Sequence, residues 1–262
     1  MMIGECPLSF YVIEHDAVDF LSSLIQHGVD LSVTLDQHLP LIFAAKLKAY
    51  QCVRLLLKVV DQQLIDSSGE NVLHTLALDN FALYEIELSE KIANQQNQDG
   101  VTPFMHGVIS GHIDMVKQLL PYVDKSLVTN EHMSPLHLAV LTQNAKMACL
   151  LIEAGFDINA TNRFGNTPLM EAILGDDKTA ESSAPVELII NQMIGSDKLN
   201  ISGTNKLGKS LAHLLAIKNR RPLLGESKLT KQKSINAQQR ALDQDASSGP
   251  VSARPDGPDT AS

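Results

Sequence analysis

Helix-start signals recur along this chain at a nearly constant interval, and this recurrence limits the folds open to it. In the clearest copy, Thr102 and Pro103 begin a helix, Gly111 ends it, and His112 opens a second. The equivalent start positions are Cys6, Leu39, Asn71, Thr102, Ser134, Thr167 and Ser210, at intervals of 33, 32, 31, 32, 33 and 43 residues. One such helix pair cannot bury its own apolar face, so the pattern predicts stacked copies.

The amino-acid sequences of the copies resemble ankyrin repeats. LPLIFAAKL, NVLHTLALDN, SPLHLAVLTQN and TPLMEAI are similar to the TPLHxAAxxGH signature of that family. The proline slot is filled by Pro40, Pro103, Pro135 and Pro168, and the histidine slot by His74, His137 and His213. The resemblance implies an all-α ankyrin-repeat solenoid of stacked helix-turn-helix units with hairpin loops. It covers residues 1–222 as about seven repeats, the terminal ones degenerate.

Three repeats depart from the pattern. The first fits, counted from Cys6, only if one residue is inserted before its second helix. The second helix of the third repeat reads FALYEIELSEKI, so we expect it to be shifted, with Glu85, Glu87 and Glu90 on an acidic outer face. The sixth repeat carries an insertion, GDDKTAESSAP at 175–185, which is a tolerated surface loop or a functional one.

Composition narrows the class of protein. The 262 residues include no Trp, and no run of about 18 apolar residues predicts a membrane span. No secretory signal is visible, and the three cysteines lie in separate repeats, so we expect a reduced, intracellular and cytoplasmic protein. Residues 1–217 carry a net charge of −12, which argues against binding a phosphate backbone of nucleic acid.

The C-terminal part of the chain differs from the body. Residues 218–262 carry a net charge of +3. We expect 223–245 to be a basic and helical or solvated segment, and 246–262, rich in Ser, Pro, Gly and Asp, to be a disordered tail.

No catalytic pattern is found, so we expect no enzyme, no cofactor, no metal and no small-molecule substrate. In the ankyrin resemblance, His74, His137 and His213 form hydrogen bonds within and between repeats, as does His112 in the GH slot. The sequence lacks GxxxxGK[ST], HExxH and GxSxG motifs. Cys149 lies in the helix of a regular repeat, which favours packing over nucleophilic chemistry.

The remaining candidate for function is a protein-binding surface. Ankyrin proteins, the resemblance implies, bind partner proteins through hairpin tips and the concave face of the first helices. For repeats starting near 97, 129 and 162, the predicted partner-binding residues are Val101, Ile109, Met133, Leu141, Arg163, Phe164 and Leu174. Leu78 holds the corresponding place in the third repeat. The alternative is that the helical members of this set only support packing.

Three functions stay open at this point. The first is an adaptor or inhibitor that binds a partner protein without chemistry of its own. The second is a regulatory scaffold whose basic C-terminal segment binds anionic lipid or nucleic acid. The third is an enzyme with an unrecognised site, for which no residues are proposed.

Two narrower expectations complete the sequence reading. The irregular repeats and the C-terminal tail also resemble the ankyrin effectors that intracellular bacteria deliver into a host cell, where the partner would be a host protein. Separately, Asn159 is similar in context to ankyrin asparagines that host hydroxylases modify.

Overall fold

A computed structural model describes residues 2–3, 6–36, 38–79, 86–175, 184–196 and 198–217. Two short antiparallel strands, Met2–Ile3 (β1) and Cys6–Pro7 (β2), precede the helices. The helices are α1 Leu8–Glu14, α2 Val18–Gln26, α3 Pro40–Lys46, α4 Tyr50–Leu56, α5 Val72–Leu78, α6 Glu90–Ala93, α7 Pro103–Ser110, α8 Ile113–Leu119, α9 Pro135–Leu141, α10 Ala145–Glu153, α11 Pro168–Gly175, α12 Ala184–Gly195 and α13 Leu211–Ile217. A 3-10 turn, Leu120–Tyr122, follows α8.

The odd-numbered helices form one continuous layer, called here the first-helix layer. In it α1 packs on α3, α3 on α5, and so on through α7, α9 and α11 to α13. Helices α2, α4, α8, α10 and α12 lie on these, with α2 against α4 and α10 against α12. This arrangement confirms the all-α solenoid of stacked helix pairs that the repeat predicted, because each pair buries its apolar face on its neighbours.

Local signals start and stop the helices as expected in the central repeats. The Thr102 hydroxyl accepts a hydrogen bond from the Met105 amide at 3.2 Å, and Pro103 occupies the first turn of α7. Gly111 ends that helix with a φ of +77°, a left-handed conformation that glycine adopts without strain.

The first repeat starts one residue later than the sequence register placed it. Pro7, not Cys6, precedes the first turn of α1. From that start, α1 and α2 begin at Leu8 and Val18, the same interval that separates Pro40 from Tyr50 in the second repeat. The first repeat therefore has regular spacing, and no inserted residue is needed.

The third and sixth repeats differ from the regular ones in their second helices. In the third, the described second helix is the single turn α6, with Glu87 and Glu90 exposed; Glu85 lies outside the described residues. In the sixth, α12 already begins at Ala184, which moves the last two residues of the expected insertion into its first turn. Residues 176–183 of that insertion, and the segments 223–245 and 246–262, lie outside the described residues.

Candidate partner-binding surface

Five hairpin loops lie side by side at one edge of the first-helix layer and are called here the hairpin row. They are residues 66–70, 97–101, 129–133, 162–166 and 205–209. Each loop is closed by a hydrogen bond from its first amide to its last carbonyl, such as Asn97 to Val101 at 3.0 Å. Neighbouring loops are joined by single backbone bonds, among them Arg163 N to Glu131 O at 3.0 Å and Lys206 N to Phe164 O at 2.9 Å. These bonds fix which tips are neighbours.

A second feature runs along the ends of the first helices. The residue at the seventh helical position of α5, α7, α9, α11 and α13 is apolar in every case, and its side chain is 40 to 60% exposed. These residues, called here the apolar ladder, are Leu78, Ile109, Leu141, Leu174 and Ile217. An exposed apolar side chain alone is ordinary, but one in the same place of five successive, neighbouring first helices is a repeated feature of the surface.

The predicted site residues fall into two groups. Ile109, Leu141, Phe164 and Leu174 are exposed, whereas Val101 and Met133 are half-buried and pack against the core. A substitution of Met133 would therefore disturb packing as well as the surface. Ile217 was missed by sequence reasoning, although it lies seven residues after Ser210 just as Leu141 lies seven after Ser134. That shared register is the signal that would have found it.

Arg163 links two tips of the hairpin row. Its Nη1 donates a hydrogen bond to Glu131 Oε1 at 2.6 Å, and its guanidinium lies over the Phe164 ring, 4.6 Å from the centroid. Both charged side chains are about half exposed, so their attraction is screened by water and contributes little to stability. The main effect of the cation is on geometry: it covers one face of the Phe164 ring and so fixes the position of that ring.

The histidines of the signature slots serve the stacking of repeats. His74 and His137 each accept a hydrogen bond at Nδ1 from the residue that caps their own helix. Their Nε2 atoms then donate to the next repeat, at Val101 O (3.1 Å) and Asn166 O (3.0 Å), so both rings are neutral with the proton on Nε2. His112 reaches back in the same way to Leu78 O at 2.8 Å. His213, by contrast, is exposed.

Burial makes the imidazoles of His74 and His137 hard to protonate. Removal from water, with the neighbouring His106 as a second cause, lowers the pKa of His74 to about 4, and burial also lowers the pKa of His137. The unfolded chain, in which histidine has an ordinary pKa, therefore binds protons that the folded chain does not. The free energy of unfolding must fall as the pH drops from about 6.5 toward 4.

We accordingly expect unfolding to become easier at mildly acidic pH. Between pH 7 and pH 5, His74 alone should remove about 2 kcal/mol from the free energy of unfolding. Urea unfolding followed by circular dichroism at the two pH values measures this loss. His74→Gln should make the loss smaller, whereas His27→Gln, at an exposed site, should leave it unchanged. An unchanged loss in His74→Gln would contradict the assignment.

The Asn159 side chain is half-buried and already makes two hydrogen bonds. Its Nδ2 donates to Lys198 O at 2.8 Å, and its Oδ1 accepts from the Asn200 amide at 2.8 Å, which ties down the loop of the next repeat. Asn94 makes the same pair of bonds, to Tyr122 O and from Asp124 N. Hydroxylation of Asn159 stays a prediction, and it would require both bonds to open.

The structure offers little for covalent or metal chemistry at the residues it describes. Burial raises the pKa of the Cys52 thiol to about 12 and also raises that of Cys149, so neither is an activated nucleophile. Across the described ranges, no three His, Cys, Asp or Glu side chains converge as metal ligands would. No described helix combines the length and the apolarity that a membrane crossing requires.

Comparison with known proteins agrees with this architecture. Residues 66–162 match a family model described as ankyrin repeats in three copies. ZDHHC13 of Danio rerio, named for palmitoyltransferase activity, is 33% identical over 136 residues, which are 49% of this chain and 21% of that protein. The nuclear factor NF-kappa-B p105 subunit of Gallus gallus is 30% identical over 132 residues, 47% of this chain and 13% of that protein. The chain spans less than half the length of these curated relatives.

Solved structures extend the likeness beyond the matched segment. The ankyrin repeat domain of Bcl-3, a member of the IkappaB protein family, superposes with a TM-score of 0.65 at 18% identity, covering 84% of this chain and 97% of that one. The ankyrin repeat protein EF0377 gives a TM-score of 0.60 at 17% identity, covering 72% of this chain and 97% of that one. At such identities the likeness shows the fold. Residues 66–162 of this chain are thus ankyrin repeats, and the fold built around them is the ankyrin-repeat solenoid.

Proposed function

We propose that this chain is a non-catalytic adaptor or inhibitor that binds a partner protein along the apolar ladder and the tips of the hairpin row. Ankyrin repeats form protein–protein interaction modules. The observation that carries it is the ladder itself, five exposed apolar side chains in one register of the first helices. The contact centres on the hairpins at 97–101, 129–133 and 162–166 and on the helices that follow them.

Burial energetics support this assignment. Covering apolar surface releases about 25 cal/mol for each Å² removed from water, so a strip of Leu and Ile side chains gains free energy when a partner covers it. Leu141 and Phe164 are more than half exposed, at 55% and 53%, so a partner that covers them removes a large apolar area from water. Large side chains in the middle of such a surface usually carry most of the binding energy.

A double variant tests the proposal. In Leu141→Ser/Phe164→Ser, two side chains of the proposed surface lose their apolar atoms. The matched control is Leu188→Ser/Phe20→Ser, since Leu188 is 52% and Phe20 51% exposed on the second helices α12 and α2, outside the hairpin row and the apolar ladder. With the full chain as bait, we expect a partner that wild type and control both capture, and whose affinity falls about tenfold or more in the double variant.

Two results would refute it. One is equal loss of the partner in both double variants, which would mean that any exposed apolar side chain matters. The other is full binding by Leu141→Ser/Phe164→Ser, provided that its urea midpoint matches wild type. A partner that binds only through residues 222–262, lost on truncation at Arg221, would favour the scaffold alternative instead; that segment lies outside the described residues.

The cellular setting stays a prediction as well. We place the chain in a reducing compartment, the cytoplasm, and the support is that Cys52 and Cys149 are free thiols. A role as a bacterial effector that acts on a host protein remains an expectation from the resemblance.

A further inference from the structure

The hairpin row changes sign along its length. Loop 66–70 has a formal charge of −2, from Asp66 and Glu70, and loops 97–101 and 129–133 are each −1 with histidine neutral. Loop 162–166 is +1 and loop 205–209 is +2. On a chain with a net charge of −9, the cations of the row are thus gathered at its C-terminal end.

The same end carries the apolar tips. The third residue of the five loops reads Ser68, Asp99, Glu131, Phe164 and Leu207. Phe164 is 53% exposed, and Leu207, at 77%, is the most exposed of the large apolar side chains that the structure describes. The bond from Lys206 N to Phe164 O makes these two tips direct neighbours.

The charges at the two ends also differ in whether they already have an ion-pair partner. Lys46 lies 3.5 Å from Asp66 and 3.6 Å from Glu70, so it offsets the acidic end. Arg163 is paired with Glu131. Neither Lys206 nor Lys209 pairs with a carboxylate within the described part of the chain; the Lys206 side chain is exposed and that of Lys209 is half-buried. As far as the described residues go, two cations therefore lack an anionic partner beside two exposed apolar tips.

Resting on the proposed function, we propose that the last two loops of the hairpin row, through Lys206, Lys209, Phe164 and Leu207, select a partner segment in which carboxylates accompany apolar side chains. Asp or Glu residues of the segment form ion pairs with the two lysines, and its Leu-like or aromatic residues cover Phe164 and Leu207. Leu174 and Ile217, in the helices that follow the two loops, are the exposed members of the apolar ladder in these repeats. Charge complementarity of this kind sets specificity more than affinity.

A protein segment fits this end better than an anionic membrane. A lipid surface is broad, so it would also approach Asp99 and Glu131 in the neighbouring loops, and these like charges would be repelled. A peptide can contact two loops without reaching the acidic ones.

Selection from a displayed library of random peptides tests the proposal. The peptides should be about 12 residues long, which spans about 40 Å when extended. On the wild-type full chain we expect enrichment of peptides that combine Asp or Glu with Leu, Ile or Phe. Fluorescence anisotropy of the enriched peptides should show affinity about tenfold or more weaker for Lys206→Glu/Lys209→Glu. The matched control is Lys117→Glu/Lys146→Glu, exposed on second helices, which should bind as wild type does.

Several outcomes would overturn it. These are enrichment of basic or purely apolar peptides, no enrichment at all, or equal weakening in both lysine double variants. Binding to vesicles of four parts phosphatidylcholine to one part phosphatidylserine, lost in Lys206→Glu/Lys209→Glu, would assign the cations to lipid instead. Peptides weakened by Leu141→Ser but not by Lys206→Glu/Lys209→Glu would leave the proposed function standing and remove this inference alone.

Discussion

Replacing Phe104 by alanine is expected to lower the free energy of unfolding by about 3 to 5 kcal/mol. The Phe104 side chain is fully buried in α7, and its ring stacks on that of Phe156 with centroids 5.5 Å apart and planes 11° from parallel. Truncation would leave a cavity between α7 and the loop after α10. Because the first-helix layer is stacked in one dimension, this cavity weakens the contact between adjacent repeats as well as the repeat that contains it.

Urea unfolding followed by circular dichroism measures the effect. The matched control is Phe164→Ala, the same substitution at a side chain that is 53% exposed, where we expect a change of about 0.5 kcal/mol or less. Since native domains are stable by about 5 to 15 kcal/mol, Phe104→Ala should remove a large part of the total. Equal midpoints for the two variants would show that the ring stack is not part of the core.

Replacing Gly100 by alanine is expected to cost about 2 to 4 kcal/mol, for two separate reasons. Gly100 has a φ of +74°, and a residue with a Cβ pays about 1 to 2 kcal/mol in that conformation. In addition, the new Cβ would lie 2.7 Å from Asn130 N and 2.8 Å from Asn130 Oδ1. Relieving that clash breaks the bond from Asn130 N to Asp99 O, which joins two loops of the hairpin row.

Gly28 supplies the matched control for this prediction. It has nearly the same φ, +73°, but no atom lies within 4 Å of where a Cβ would be. Gly28→Ala should therefore show only the conformational cost, about 1 kcal/mol. The difference between the two variants, measured by urea unfolding, isolates the contribution of the contact between loops. If the two losses are equal, backbone conformation alone explains both.

The helix starts were predictable from the sequence because their causes are local. Thr102, Asn71 and Ser134 cap the helices that follow them through hydrogen bonds three residues away. The interval between such signals then led to the stacked solenoid. In the first repeat the start signals are weak, so the sequence register places the start at Cys6 and not at Pro7. Only the spacing of α1 and α2 shows the true start.

The single-turn helix α6 shows where local reading ran out. The stretch that contains Glu87 and Glu90 lacks the apolar spacing of a second helix, so the sequence predicted a shift but not its result. The start of α12 at Ala184 differs from the sequence expectation for a related reason: a proline such as Pro185 reads as the end of a loop, yet proline is well tolerated in the first turn of a helix.

The sequence by itself determined the repeat, its period and the residues that start each helix, because these depend on neighbours within a few positions. The tertiary structure decided what each surface residue meets, because the atoms that cover or leave bare a side chain come from the next repeat, about 30 residues away. Leu141 and Met133 read alike as open positions, yet one is exposed and the other packs on the core. The pairing of Arg163 with Glu131, and the position of Lys206 beside Phe164, likewise follow from the bonds that set neighbouring loops side by side.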